Sequence, residues 1–175
     1  MLPSPLGEML ALSDGDGRLI GLYFIDGQRA PQPAPGWVEH DAPFSRLRSQ
    51  LTAYFAANLT QFDLPLAAHG TDYQRQVWAA VAEVSYGTTV AYRTLAMRLG
   101  NPRSSRAVGL ANACNPLSIV VPCHRVIGSN GALVGYAGGH ERKRWLLAHE
   151  TQQRQQDRRT SMSVDGQSAT YERQR

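Results

Sequence analysis

Cysteine is scarce in this chain: 175 residues contain only Cys114 and Cys123. Two cysteines cannot build a disulfide framework, and they are too few for a cysteine-rich metal site. No apolar run approaches the roughly 18 residues needed to span a bilayer, so no membrane partner is expected. The opening Met1-Leu2-Pro3-Ser4-Pro5 lacks the basic and apolar stretches of a secretory signal, which makes a cytoplasmic protein the expectation. Lysine is rarer still, with Lys143 alone beside 17 arginines. Charged residues are 18% of the chain, below the usual quarter, and 42% of residues are hydrophobic. Wholesale disorder is therefore excluded, and the length suffices for one ordinary domain or two small ones with a real core.

The net charge of +4 is unevenly placed. Residues 1–68 carry four Arg against seven acids, a balance of −3. Residues 69–150 carry nine basic groups against four acids, and residues 151–175 five against three, balances of +5 and +2. A basic middle segment suits a polyanion partner, although a solvated surface gives the same composition.

The pattern along the chain divides near Gly70. Met9–Leu12 and Leu19–Ile25 flank Asp14-Gly15-Asp16-Gly17 and predict a β-hairpin. Ala30–Gly36, with three prolines, is a loop. Phe44, Leu47, Leu51, Tyr54 and Phe55 have helical spacing, which predicts an amphipathic helix over Pro43–Asn58. Phe62–Leu66 reads as a further short strand. Thr71-Asp72 offers an N-cap for a helix carrying Tyr73, Val77, Trp78 and Val81. Val90–Leu99 is again helical in pattern, and Gly100-Asn101-Pro102 breaks it. A third helix, capped by Ser104 or Ser105, runs to about Ala113. Two helices joined by a short Gly-containing turn form a helix-turn-helix pattern. The second of them reads Ser-Arg-Ala-Val-Gly-Leu-Ala-Asn, small side chains with one long cation, Arg106. Such a face permits close approach to another surface or tight internal packing.

Leu117–Val121 reads as extended and leads into Pro122-Cys123-His124-Arg125. A glycine-rich loop, Gly128 to Gly139, carries Tyr136. Arg142–Glu150 predicts a final helix on which Arg142-Lys143-Arg144 reads as a solvated face. Trp37, Trp78 and Trp145 read as packing residues. The glutamine-rich stretch 151–175 has few large apolar groups and no clear period, and it reads as a disordered tail.

Pro-Cys-His-Arg is the most informative feature. Thiolate is the reactive form of cysteine, and His124 and Arg125 supply a base and a cation beside Cys123. Adjacent side chains on an extended chain point to opposite sides. Direct contact between His124 and Cys123 therefore needs a sharp bend, or a bridging water. On its own the pair is compatible with a nucleophile or with a buried structural cysteine.

The wider string Ile119-Val120-Val121-Pro122-Cys123-His124-Arg125-Val126-Ile127 closely resembles the active-site signature of the O6-alkylguanine-DNA alkyltransferases, or methylated-DNA–protein-cysteine methyltransferases. Arg106-Ala107-Val108-Gly109, Asn115-Pro116, Gly135-Tyr136-Ala137-Gly138-Gly139 and Trp145–Glu150 resemble further blocks of that family, in family order. Phe55, Phe62-Asp63-Leu64 and Tyr73–Trp78 do so as well, and the resemblance covers about residues 3–150.

The resemblance implies an α/β (α+β), ribonuclease-H-like N-terminal support domain at 1–68. It also implies a mainly α-helical catalytic and DNA-binding domain at 69–150, with a winged helix-turn-helix-like motif. It implies a monomer that acts on alkylated double-stranded DNA through the minor groove and flips the damaged base out of the stack. Arg106 would fill the stack, with Ser105, Ala107, Gly109 and Ala111 on the same helix and Arg125 as further DNA contacts. Arg75, Arg103 and Arg125 remain open between phosphate contact and internal ion pairs.

By the same resemblance, Cys123 attacks the alkyl carbon. Glu150 orients His124, which deprotonates Cys123 through a water. Tyr92 assists departure of guanine and Asn115 braces the site. Tyr136 walls the base pocket, the Val126 carbonyl reads the exocyclic amine, and Ala137 and Gly138 complete the pocket. Ala137 stands where some relatives have Ser, so only its backbone N–H is available to guanine O6. The product is a thioether, which makes the protein a single-use acceptor with no cofactor. Residues 1–68 contain no Cys and only His40, so the zinc site of some relatives is not expected, and no metal is. His69 and His140 read as surface groups, and Cys114 as a bystander. Three other classes compete: a lesion binder without chemistry, a helix-turn-helix regulator and a cysteine hydrolase. Cys123 opposes the first, the small-residue helix the second, and the lack of an oxyanion-hole motif the third.

Overall fold

A computed structural model describes the backbone of residues 1–171 and the side chains of residues 1–156. The hairpin forms as the sequence predicts. Strands β1 (Met9–Ser13) and β2 (Leu19–Phe24) are antiparallel, and Met9 pairs with Phe24. Alternation sends Leu22 and Phe24 inward, and a register irregularity at Ile20 lets Leu19 be buried as well. Asp14 closes the turn by accepting from the backbone N–H of Asp16 and of Arg18. Helix α1 (Ser45–Phe55) lays Leu47, Leu51 and Tyr54 into the same core, and a short 3₁₀ turn at Ala42–Phe44 precedes it.

Phe62–Leu66 does not extend the sheet as a strand. Leu66 makes a single parallel bridge to Leu19. Pro65 contributes its carbonyl to Leu19 N–H but has no N–H of its own to carry a ladder onward. The free edge of β2 is covered from the other half of the chain instead. Leu22 N–H donates to Pro116 O at 2.7 Å, and Ser118 N–H donates to Leu22 O at 2.9 Å.

Helix α2 (Asp72–Ala82) opens on a capping box, with Thr71 Oγ1 accepting from Gln74 N–H and Gln74 Oε1 accepting from Thr71 N–H. The next helix is shorter than its pattern implies. Val90–Ala91 forms strand β3, parallel to β4 (Val126–Ile127), and α3 spans Tyr92–Arg98. The β-branched Val90 is better used in that pair than in a helix. Helix α4 (Ser105–Ala113) follows across Leu99–Ser104, and Trp78 of α2 donates its indole N–H to Ala111 O at 2.8 Å.

The final helix, α5, spans His140–Tyr171 and so continues past Glu150, where the sequence reading ended it and began a disordered tail. No proline or glycine interrupts the run before Gly166, and Gln and Arg are good helix formers. Arg154 also reaches back to donate to Gly87 O at 3.2 Å. Residues 172–175 of that tail lie outside the described residues. Among the described residues, no helix is long and apolar enough to cross a membrane.

The tryptophans split. Trp78 is buried, whereas Trp37 lies exposed on the proline-rich loop and Trp145 is partly exposed, stacked on His149 with centroids 4.9 Å apart. Arg142 ties the two halves together. It donates to Leu6 O and Gly138 O, pairs with Asp26 and lies 4.4 Å over the Phe24 ring.

Candidate active site

Leu117 to Val121 is not a strand. After the bridge at Leu117 the chain turns through Ile119, at φ +70, a conformation that a β-branched residue adopts only under constraint. Asn115 supplies that constraint. Its Oδ1 accepts from Leu117 N–H at 3.0 Å and its Nδ2 donates to Val121 O at 2.8 Å. The turn delivers Pro122, and Cys123–Arg125 form one turn of 3₁₀ helix. The turn begins at Pro122, and the chain is bent where adjacent side chains of an extended segment would have pointed apart. Cys123, His124 and Arg125 are all buried.

Glu150, fully buried on α5, collects these groups. Its Oε1 accepts from His124 Nε2 at 2.8 Å, from Arg125 Nη2 at 2.9 Å and from Tyr54 OH at 2.8 Å. Its Oε2 accepts from Arg125 Nε at 2.9 Å and Gly87 N–H at 3.0 Å. Burial pushes the Glu150 carboxyl up, but the bonds and charges of His124 and Arg125 outweigh it and hold the group well below the usual carboxylate range. An ionised carboxylate can only accept, so Nε2 of His124 carries the proton and Nδ1 keeps its lone pair. Burial lowers the imidazole's proton affinity, with Glu150 opposing, which favours the neutral ring.

Cys123 rests as a thiol. Burial raises it, and Asn115 and Lys143 only partly oppose this. Beside it in the same turn, His124 Nδ1 is a buried polar atom without a hydrogen-bond partner among the described residues. Buried orphans of this kind are rare in finished cores and point to a place where a ligand or water supplies the partner. Asn112 Nδ2 reaches Cys123 O at 3.4 Å, and the Tyr136 ring stands 6.4 Å from that of His124. Tyr92 opens α3 with its hydroxyl on Val134 O at 3.1 Å, and burial raises its pKa. Gly138 has no room for a side chain, since a Cβ would lie 2.7 Å from the Tyr136 ring and 2.8 Å from Phe24. Among the described residues, no cluster of three or more His, Cys, Asp or Glu could hold a metal.

With this geometry in view, residues 1–68 match the family profile described as 6-O-methylguanine DNA methyltransferase, ribonuclease-like domain. Residues 72–152 match its companion, 6-O-methylguanine DNA methyltransferase, DNA binding domain. The chain belongs to this methyltransferase family. It is 47% identical over 147 residues to a methylated-DNA–protein-cysteine methyltransferase of Methanosarcina acetivorans, covering 84% of this chain and 94% of the relative. It is 44% identical over 149 residues to one from Mycobacterium tuberculosis, covering 85% and 89%. The solved structure of M. tuberculosis OGT in complex with DNA superimposes with a TM-score of 0.81 at 42% identity, covering 87% of this chain and 92% of that one. The architecture is thus the family's mixed α and β fold, a ribonuclease-like N-terminal domain followed by a helical DNA-binding domain.

Within this methyltransferase fold, Cys123, His124, Glu150, Asn115, Tyr92, Tyr136, Val126 and Gly138 come together, with Ala137 half-buried beside them. On α4, Arg106 and Ala107 face outward and Ser105 and Gly109 are half-buried. Two expected DNA contacts do not face outward. Ala111 is 4% exposed, and its carbonyl is taken by Trp78. Arg125 is internal, with its guanidinium on Glu150 and Val84 O, which settles the choice in favour of an ion pair. Arg75 likewise pairs locally, with Asp72 and Gly70 O.

The sequence reading missed Lys143, which is no part of a solvated face. It is fully buried, and its Nζ donates to Val126 O at 2.6 Å and to Val134 O at 2.7 Å. Burial lowers its pKa to about 8. Its being the one lysine beside 17 arginines was the available signal, since an ammonium fits a pair of carbonyls where a guanidinium fork does not.

Glu150→Gln leaves Arg125 buried without its counter-charge and should destabilise the fold by about 3–5 kcal/mol at neutral pH. The Glu150 carboxyl has a lowered pKa in the fold, so its contribution is complete above the ordinary carboxylate range and fades as pH falls toward the folded value. Urea unfolding at a series of pH values should show the wild-type advantage narrowing below about pH 4. Equal unfolding midpoints at neutral pH would contradict this reading.

Proposed function

We propose that this protein repairs DNA by direct reversal, moving the alkyl group of O6-alkylguanine in duplex DNA irreversibly onto Cys123. O4-alkylthymine is a second substrate in this scheme. The observation that carries the proposal is the buried Cys123 thiol beside a neutral His124 whose Nδ1 lone pair is uncommitted. The names of the relatives, and the DNA in the M. tuberculosis OGT structure, support the same substrate class.

In the proposed reaction the Cys123 proton passes through a water to His124 Nδ1, and Glu150 stabilises the imidazolium. The sulfur attacks the alkyl carbon, an S–C bond forms and the C–O bond to guanine breaks. Guanine O6 takes a proton from Tyr92, which is restored from the imidazolium. The Val126 carbonyl accepts from the exocyclic amine, Tyr136 walls the base, and the backbone N–H of Ala137 and the close approach allowed by Gly138 complete the pocket. A thioether carbon has no ready leaving group here, so each molecule acts once and needs no cofactor.

α3 and α4 would act as a winged helix-turn-helix-like unit of the 69–150 domain, with residues 1–68 as its support. α4 presents Arg106, Ala107 and Leu110, the last 71% exposed, and Met97 of α3 is half exposed. A low-profile face of this kind suits a minor groove, and Arg106 would enter the stack as the base rotates out. Arg93, Arg98 and Arg103 are exposed on the same two helices and the turn between them, where phosphates could be met. A monomer suffices for this scheme.

Cys123→Ser should retain binding to duplex DNA and lose transfer, read by intact mass after incubation with an O6-methylguanine duplex. A serine variant that still accepts the methyl group would overturn the proposal. Arg106→Ala should slow repair in duplex DNA by about tenfold or more and leave reaction with free O6-benzylguanine nearly unchanged. Equal slowing of both would remove the stack-filling role.

A further inference from the structure

We propose that Tyr54, on α1 of the N-terminal domain, is a positioning residue for alkyl transfer: its hydroxyl shares Glu150 Oε1 with His124 Nε2 and so sets the basicity of the imidazole from outside the catalytic domain. The inference rests on the transfer reading above and assigns the N-terminal domain a part in it beyond support.

Tyr54 is fully buried, and its place is fixed from several sides. Its ring packs against Phe55, Phe62, Tyr86 and His149, with centroids 5.3, 5.4, 5.9 and 5.5 Å away. Its backbone carbonyl accepts from His149 Nε2 at 2.9 Å. Packing alone would be served by phenylalanine. A buried hydroxyl costs free energy unless it is bonded, and this one is spent on an oxygen of the carboxylate that orients the candidate base. Burial and the neighbouring Glu150 charge keep the phenol pKa well above its ordinary value, so the group remains a donor across the working range.

A third donor on Oε1 draws charge away from the oxygen that faces His124. The carboxylate then holds the imidazole in its Nε2–H form without pulling it to the cation, which would quench Nδ1 at neutral pH. The charged and titratable groups around His124 are Glu150 and Lys143 from α5, Cys123 and Arg125 from its own turn, Tyr136 from the loop before α5, and Tyr54 from α1. Tyr86 stands behind them, against Tyr54 and under the Arg125 guanidinium. Of these, Tyr54 is the one contributed by residues 1–68.

The test uses the full chain and follows the rate of benzyl transfer from O6-benzylguanine to Cys123 across pH, in wild type, Tyr54→Phe and Phe55→Leu. Phe55→Leu is the packing control, since it loosens the same helix without touching Glu150. Tyr54→Phe should move the acid limb of the pH–rate profile up by about half a unit or more, as His124 holds its proton more tightly. Phe55→Leu should lower Tm and leave the midpoint in place. A Tyr54→Phe profile that superimposes on wild type, or an equal shift in Phe55→Leu, overturns the positioning role. Failure of the wild-type protein to take up the benzyl group at any pH overturns the transfer reading itself, and with it this inference.

Discussion

One carboxylate with no access to solvent, Glu150, receives five hydrogen bonds from Tyr54, Gly87 and the adjacent pair His124 and Arg125, three places far apart in sequence. A buried charge is tolerated only when it is paired and saturated, and here both oxygens are saturated. That requirement locates everything else. Arg125 must turn inward to neutralise the charge, so it does not face outward. His124 must present Nε2–H, which frees Nδ1. The Gly87 backbone must come close, and a Cβ there would lie 2.8 Å from Glu150 O. Tyr54 must reach across from the other domain.

The two domains are therefore interlocked at the site as well as joined in sequence. The β2 edge is completed by Pro116 and Ser118, immediately before the turn that delivers Cys123. Arg142 spans Leu6, Asp26, Phe24 and Gly138. Lys143, its neighbour, clips the carbonyl of Val126, from the candidate base pocket, to that of Val134. Positioning of this kind, by groups whose own places are over-determined, is what a displacement at carbon needs from its protein.

Much of this was legible in the sequence. The hairpin around Asp14–Gly17, the Thr71 cap and the α4 face follow from local chemistry. Cys123, His124 and Glu150 follow from the resemblance of their motifs. What was not legible depends on long-range contacts. Val90–Ala91 reads as helix because the parallel partner at Val126–Ile127 lies far along the chain. Lys143 reads as part of a solvated face and Arg125 stays open between a DNA contact and an internal ion pair, because their buried acceptors come from distant Glu150, Val84 and the loop at Val134. Tyr54 reads as one more apolar helix position, because periodicity is blind to a hydroxyl at the tip of a core residue. Ala111 reads as part of a small outward stripe until Trp78 is seen against it.

The central claim is that Glu150 fixes His124 as a neutral ring protonated on Nε2, with Nδ1 open as the base for Cys123. ¹⁵N NMR of the His124 imidazole at neutral pH, in unreacted full-length protein, addresses it directly. The account predicts a proton on Nε2 and the chemical shift of an unprotonated nitrogen at Nδ1. A proton on Nδ1, whether in the other tautomer or in the imidazolium, would contradict it.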